Sequence, residues 1–176
     1  MAAEQTDSDM IRPVTADHLR QLFDIINDGA QVYQGVIPED CWHDPYMTME
    51  ELRGELDAGV GFWGWDEAGH CLGVMGRQDR GEVILIRHAY VLRACQQQGI
   101  GSRLLEYLQS GIDRPILVGT WAAAWWAVRF YQKHGFSLVT TAEKDRLLST
   151  YWNITDRQRE TSVVLGDGRW FGGIEK

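Results

Sequence analysis

Residues 83–108, VILIRHAYVLRACQQQGIGSRLLEYL, leave the chain few choices. Val83-Ile84-Leu85-Ile86 is β-branched and apolar, which predicts a buried strand continuing to about Leu92. A short polar turn over residues 94–98 leads into Gly99-Ile100-Gly101. From there Ile100, Leu104, Leu105 and Leu108 recur at the spacing of one helical face. A strand therefore enters a helix through a glycine-containing bend. The first turn of any helix carries N–H groups with no internal partner, and the helix dipole adds positive potential there. Gly99 and Gly101 lack a Cβ, so a phosphate can come close to the backbone. The ligand this bend predicts is a pyrophosphate.

Spacing separates two families that use such a bend. A dinucleotide-binding turn requires G-x-G-x-x-G, and here the third glycine position is Leu104. Gln96-Gln97-Gln98-Gly99-Ile100-Gly101 instead resembles the [QR]-x-x-G-x-[GA] turn of the GNAT N-acetyltransferases, which holds the pyrophosphate of acetyl-CoA. Downstream, residues 115–121 read as a strand and residues 124–134 as a helix stopped by Gly135, with Lys133 and His134 in its last turn. Within that helix, residues 127–136, AVRFYQKHGF, resemble the A-x-x-F-Y-x-K-x-G-F segment of the same superfamily. The resemblance is sharp over residues 83–136 and looser elsewhere. It implies an α+β fold: a central, mostly antiparallel sheet of six to seven strands, splayed at its central strand and flanked by about four helices.

At 176 residues the chain is long enough for one domain with a substantial core. The expected layout is a lead-in over residues 1–9, a single domain over 10–165 and a tail over 166–176. No apolar run is long enough to span a membrane, and no signal-peptide pattern is present. Cys41, Cys71 and Cys95 share no C-x-x-C spacing, which argues against a disulfide framework or a zinc site and fits a reducing cytoplasm. A net charge of −8 argues against nucleic-acid binding. Its distribution says more. Residues 39–67 hold nine acids and one base, whereas residues 82–135 hold three acids and six bases. The earlier stretch would attract a cation and the later one an anionic cofactor, unless both are simply solvated faces.

Along the chain, residues 10–14 read as a first strand, and Asp17 as the cap of a helix ending near Gly29. Residues 30–47 form a long link dense in aromatics, the kind of loop that builds lids or acceptor pockets. Thr48-Met49-Glu50-Glu51 is a capping box, opening a helix that stops at Gly59. Residues 60–65 and 71–78 read as a hairpin. Residues 137–139 and 161–165 read as closing strands, with residues 145–158 as the link between them.

The resemblance also implies a division of labour around acetyl-CoA as cosubstrate. An acceptor amine attacks the thioester directly, with no covalent enzyme intermediate. The pyrophosphate falls to the amides of Gln96, Gln97, Gln98, Gly99, Ile100, Gly101 and Ser102, with charge from Arg103. The pantetheine arm pairs with backbone at Val91 and Leu92, and Arg93, Ala124 and Phe130 complete the cofactor side. Relatives often carry asparagine where this chain has Ala124, so one side-chain contact to the cofactor is absent. The oxyanion takes a backbone N–H near Val91. Tyr131 holds the general-acid position, and a phenol stays protonated at neutral pH. Tyr33, Trp42, His43, Tyr46 and Trp121 are the acceptor-side candidates, with Arg87 as a possible anchor for an acceptor carboxylate or the partner of a loop acid. Leu85 and Arg87, at the base phase of the central strand, cannot accept a proton. His88 has a suitable pKa, but strand alternation turns it away unless a bulge re-aims it; His43, Glu50 or a chain of waters are the alternatives. Three functions follow: acetyl transfer to a small-molecule amine, a CoA-binding module without turnover, or acetylation of a protein or peptide. Dimers are common on the implied fold.

Overall fold

The computed structural model describes residues 10–173; the expected lead-in over residues 1–9 lies outside them. Seven strands, β1 (Ile11–Pro13), β2 (Val60–Glu67), β3 (His70–Asp79), β4 (Ile84–Val91), β5 (Ile116–Trp121), β6 (Ser137–Leu138) and β7 (Ser162–Gly166), form one sheet in the order β1-β2-β3-β4-β5-β7-β6. β4 and β5 run parallel, in the register Ile84↔Ile116, Leu85↔Leu117 and Ile86↔Val118. The pairs β1–β2, β2–β3, β5–β7 and β6–β7 are antiparallel. The helices are α1 (Leu19–Ala30), α2 (Met49–Asp57), α3 (Ile100–Gln109), α4 (Trp125–Lys133), α5 (Thr141–Tyr151), α6 (Asp156–Glu160) and α7 (Gly168–Gly172). Among the described residues no helix is long and apolar enough to cross a membrane.

Contacts divide the chain into two compact units. The first takes the described residues up to Gln31, then Asp44–Gln78 and Arg87–Ile112. Its core joins Leu22, Ile25 and Ile26 of α1 to Leu52 of α2 and to Val60, Phe62 and Val74 of β2 and β3. The capping box at the head of α2 forms as predicted: the Glu51 N–H donates to Thr48 Oγ1 at 3.1 Å and the Thr48 N–H to Glu51 Oε2 at 2.7 Å. Leu104, Leu105 and Leu108 of α3 are fully buried. Each contributes roughly 1.5–3 kcal/mol from that burial. A Cβ on Gly73 would lie 2.9 Å from Ile100 Cγ2 and 3.1 Å from Val91 Cγ2, so β3 needs a glycine where the first residue of α3 seats on it.

The second unit takes Val32–His43, Asp79–Ile86 and the described residues from Asp113 on. Val83, Leu85, Leu117, Leu147, Leu148 and Val164 form its core. Asp167, itself buried, accepts the Ile116 N–H at 3.1 Å and the Trp170 N–H at 3.3 Å, which ties α7 to β5.

Several elements depart from the sequence reading. Asp17 is not a cap: a short 3-10 turn, Ala16–His18, precedes α1, with Thr15 at its extended N-cap. The link expected over residues 145–158 is mostly helical, as α5 and α6. Thr140 and Thr155 cap these helices through Oγ1, accepting from Glu143 and Gln158 N–H respectively. The tail expected after Leu165 continues β7 to Gly166 and then forms α7. Among the described residues the expected mixed fold, with its mostly antiparallel sheet, is present, and α5, α6 and α7 bring the helices to seven where about four were expected.

Candidate active site

The bend over residues 94–99 is built as its glycine demands. Gly99 sits at φ +81°, a left-handed conformation that costs a side-chain-bearing residue about 1–2 kcal/mol. Gln97 also adopts positive φ, +63°. No side chain caps α3, so the first-turn amides at its head have no capping partner, and residues 96–99 are exposed. Arg103, one turn into the helix, folds back: its Nη1 donates to the Gln98 carbonyl at 3.0 Å, and its guanidinium lies 5.3 Å over the Trp65 ring. Backbone donors, a helix dipole and one cation thus meet at an exposed bend. That combination suits a diphosphate.

Neighbouring backbone is partly committed. The Leu92 N–H donates to the Leu72 carbonyl at 2.9 Å, and the Arg93 N–H to Asp28 Oδ2 at 2.8 Å. Arg93 also pairs with Asp28 through its side chain. Leu92 and Arg93, both expected on the cofactor side, therefore have their N–H groups occupied by the protein itself. The Val91 carbonyl accepts from Gln96 Nε2 at 3.2 Å.

His88 is the largest surprise in this unit. It adopts φ +52°, breaking strand alternation where regular pleating would have turned it away from Arg87. Both side chains now reach one carboxylate oxygen: His88 Nε2 and Arg87 Nη2 each lie 2.9 Å from Glu55 Oε2. Arg87 Nη1 also donates to Gln78 Oε1 at 2.9 Å, and Gln78 Nε2 donates to the Ala58 carbonyl at 2.8 Å. The His88 ring stacks on Phe62, with centroids 5.9 Å apart. Burial lowers the His88 pKa below its ordinary value; the bond to Glu55 opposes this and the charge of Arg87 reinforces it. Burial alone would raise Glu55, but the bonds from His88 and Arg87 outweigh it and hold the carboxyl below its usual range. Arg87 is thus the partner of an acid. Read as an anchor for an acceptor carboxylate, it is instead held by Glu55 and Gln78.

Glu55 and Gln78 carried no signal in the sequence, because their partners lie on other elements. Asn27 was missed for the same reason. Its side chain exchanges two 2.9 Å bonds with the Met47 backbone and so fixes the end of the aromatic loop. Tyr46, expected on the acceptor side, packs edge-on to Tyr90 at 6.4 Å and against the first core.

In the second unit, Tyr131 is buried in α4 between Phe130, at 5.1 Å and edge-on, and Phe136, at 5.8 Å. Burial pushes its phenol well above the ordinary tyrosine value. Ala124 is fully buried at the N-cap of α4 and Trp121 is buried at the end of β5. Trp125 and Trp126 diverge as adjacent helical residues must: Trp125 is 61 % exposed under Arg129, while Trp126 stacks on the buried Tyr33 at 6.1 Å. Trp42 is half-buried and His43 exposed.

The model of the acetyltransferase (GNAT) domain family matches residues 27–148. Among solved structures, the PaiA N-acetyltransferase of Thermoplasma acidophilum, in complex with coenzyme A, has a TM-score of 0.67 at 16 % identity, covering 89 % of this chain and 96 % of that one. A GNAT-family acetyltransferase from Staphylococcus aureus Mu50 gives 0.65 at 17 % identity, with the same coverage. The ribosomal-protein-S18-alanine N-acetyltransferase of Escherichia coli gives 0.60 at 14 %, covering 89 % and 91 %. At such identities the likeness is one of fold. No curated protein sequence matches the chain.

Proposed function

The chain belongs to the GNAT acetyltransferase family, and from that premise we propose that it transfers the acetyl group of acetyl-CoA to the primary amine of a small-molecule acceptor by direct attack. The observation that carries this reading is the uncapped, exposed bend at the head of α3, with Gly99 in the left-handed region and Arg103 folded against it. Acetyl-CoA supplies the activated acyl carbon. The amides of residues 96–102 hold its pyrophosphate, with Arg103 adding charge, and Val91 offers the backbone of the central strand to the pantetheine arm. Ala124 and Phe130 complete the cofactor side. Tyr131 gives its proton to the departing thiolate, a role that suits a phenol kept un-ionised by burial. His88 takes the proton of the acceptor ammonium, as a buried imidazole that is neutral at physiological pH. Tyr33, Trp42, His43 and Trp121 serve the acceptor side. The nine acids against one base over residues 39–67 favour a cationic amine.

The test is release of free thiol from acetyl-CoA on addition of a panel of amines to the purified chain, alongside calorimetry with coenzyme A. Binding with thiol release bears the reading out. Binding without release on any amine would leave a CoA-binding module, and acetylation of peptides alone would replace the small-molecule acceptor.

A further inference from the structure

Glu55 stands outside the residues that motif resemblance assigns to the reaction, yet its position constrains one of them. Its Oε2 lies 2.9 Å from His88 Nε2. A carboxylate only accepts, so the hydrogen on that ring nitrogen must be present, and the neutral imidazole then has its lone pair on Nδ1. We propose that Glu55 is a positioning residue: it fixes His88 as the Nε2–H tautomer and presents Nδ1 as the proton acceptor for the incoming ammonium. This rests on the acetyl-transfer reading and on His88 as its base.

The surroundings support the assignment. The charged groups facing the ring are Glu55 from α2 and Arg87 from its own strand; β2 contributes the Phe62 ring, and β3 reaches Arg87 through Gln78. The side chains of Arg87, His88 and Glu55 are only 12 %, 16 % and 24 % exposed, so the pair is shielded from competing water. The positive φ at His88 is a backbone cost accompanied by the placing of both ring and guanidinium on one carboxylate and of the ring on Phe62. In the step itself, an N–H bond of the acceptor ammonium breaks and an Nδ1–H bond forms. The amine keeps the electron pair with which it attacks, and the imidazolium is held by the carboxylate on its far side. Arg87, sharing that carboxylate, keeps the imidazolium from persisting, so the proton passes on to solvent. The logic is that of a carboxylate orienting a histidine base.

The experiment is nitrogen-15 NMR of the histidine rings in the intact wild-type chain, with His88 assigned by comparison with His88→Gln. The expected spectrum at pH 7 is that of a neutral ring protonated on Nε2. A ring protonated on Nδ1, or a full imidazolium at that pH, would overturn the proposal without any variant having to fold. Glu55→Gln supplies the second measurement. It removes the charge that favours the imidazolium, so the acid limb of the kcat/KM profile should move to lower pH, while kcat falls about tenfold and the KM for acetyl-CoA is unchanged. An unmoved limb in a folded Glu55→Gln chain would also overturn it. Failure of the wild-type chain to release thiol with any amine overturns the acetyl-transfer reading instead, so the two failures are told apart.

Discussion

In the unit that carries α2 and α3, the inward polar groups are answered one by one: Glu55 by Arg87 and His88, Arg87 again by Gln78, and Gln78 by a carbonyl. The unit that carries α4 also buries two charged side chains, Lys144 and Asp167, but its buried Tyr131 packs against the Phe130 and Phe136 rings. The strand β4 shows the same change within eight residues. Ile84, Leu85 and Ile86 are buried and apolar, and from Arg87 onward every residue is half-exposed. The difference teaches what each side can do. Burial is the leading cause on both sides: it lowers the His88 pKa, with Glu55 opposing and Arg87 reinforcing, and it raises that of Tyr131. The imidazole and the phenol are thus both favoured in their neutral forms, one by a shift down and the other by a shift up.

The sharpest way to break this contrast is Tyr131→Phe. If the phenol is the proton donor, turnover should drop by about a hundredfold, within the usual range for a general acid, with acetyl-CoA affinity by calorimetry nearly intact. Unchanged turnover would leave the α4 unit without a chemical part. Next is Gly99→Val, which forces a β-branched residue to φ +81° beside Arg103. Straightening the bend to relieve about 1–2 kcal/mol should weaken coenzyme A binding roughly tenfold, with little change in the affinity of the acceptor. Arg103→Ala should cost only a few-fold in coenzyme A affinity, and the difference from wild type should shrink as salt is raised. The smallest effect concerns acid stability. The pKa values of His88 and Glu55 are both lowered on folding, so the folded state binds fewer protons than the unfolded chain. The stability they contribute is present above pH 6.5, the ordinary histidine value, and is lost as pH falls below it, with a further loss below the ordinary glutamate value of 4.5. Chemical denaturation of His88→Gln across pH 5–7 should show a flatter profile than wild type.

What could be read in advance follows the range of the interaction. The strand, bend and helix around Gly99 are written in consecutive residues, as is the Thr48 capping box, and both have their predicted form. The helix α5 escaped because its sequence, TAEKDRLLSTY, has little apolar periodicity; Thr140 caps it and Leu147 and Leu148 anchor it, but Lys144 is turned inward onto the Arg159 carbonyl. The partners of Arg87 escaped for a different reason. Alternation along a strand predicts that Arg87 and His88 point opposite ways, and one backbone torsion at His88 cancels that rule. Glu55 lies 33 residues from the histidine it meets, on a helix rich in other acids, so nothing local marks it out.

The capping box at Thr48 has a consequence beyond the melting point of α2. Helical residues advance by about 100° each, and α2 offers Glu50, Glu51, Glu55 and Asp57 around its circumference. Where the first turn locks therefore selects which carboxylate meets the imidazole. Thr48 acts as an indexing pin: a start displaced by one residue would swing Glu55 aside and leave the Arg87 guanidinium and the His88 ring N–H with no carboxylate between them.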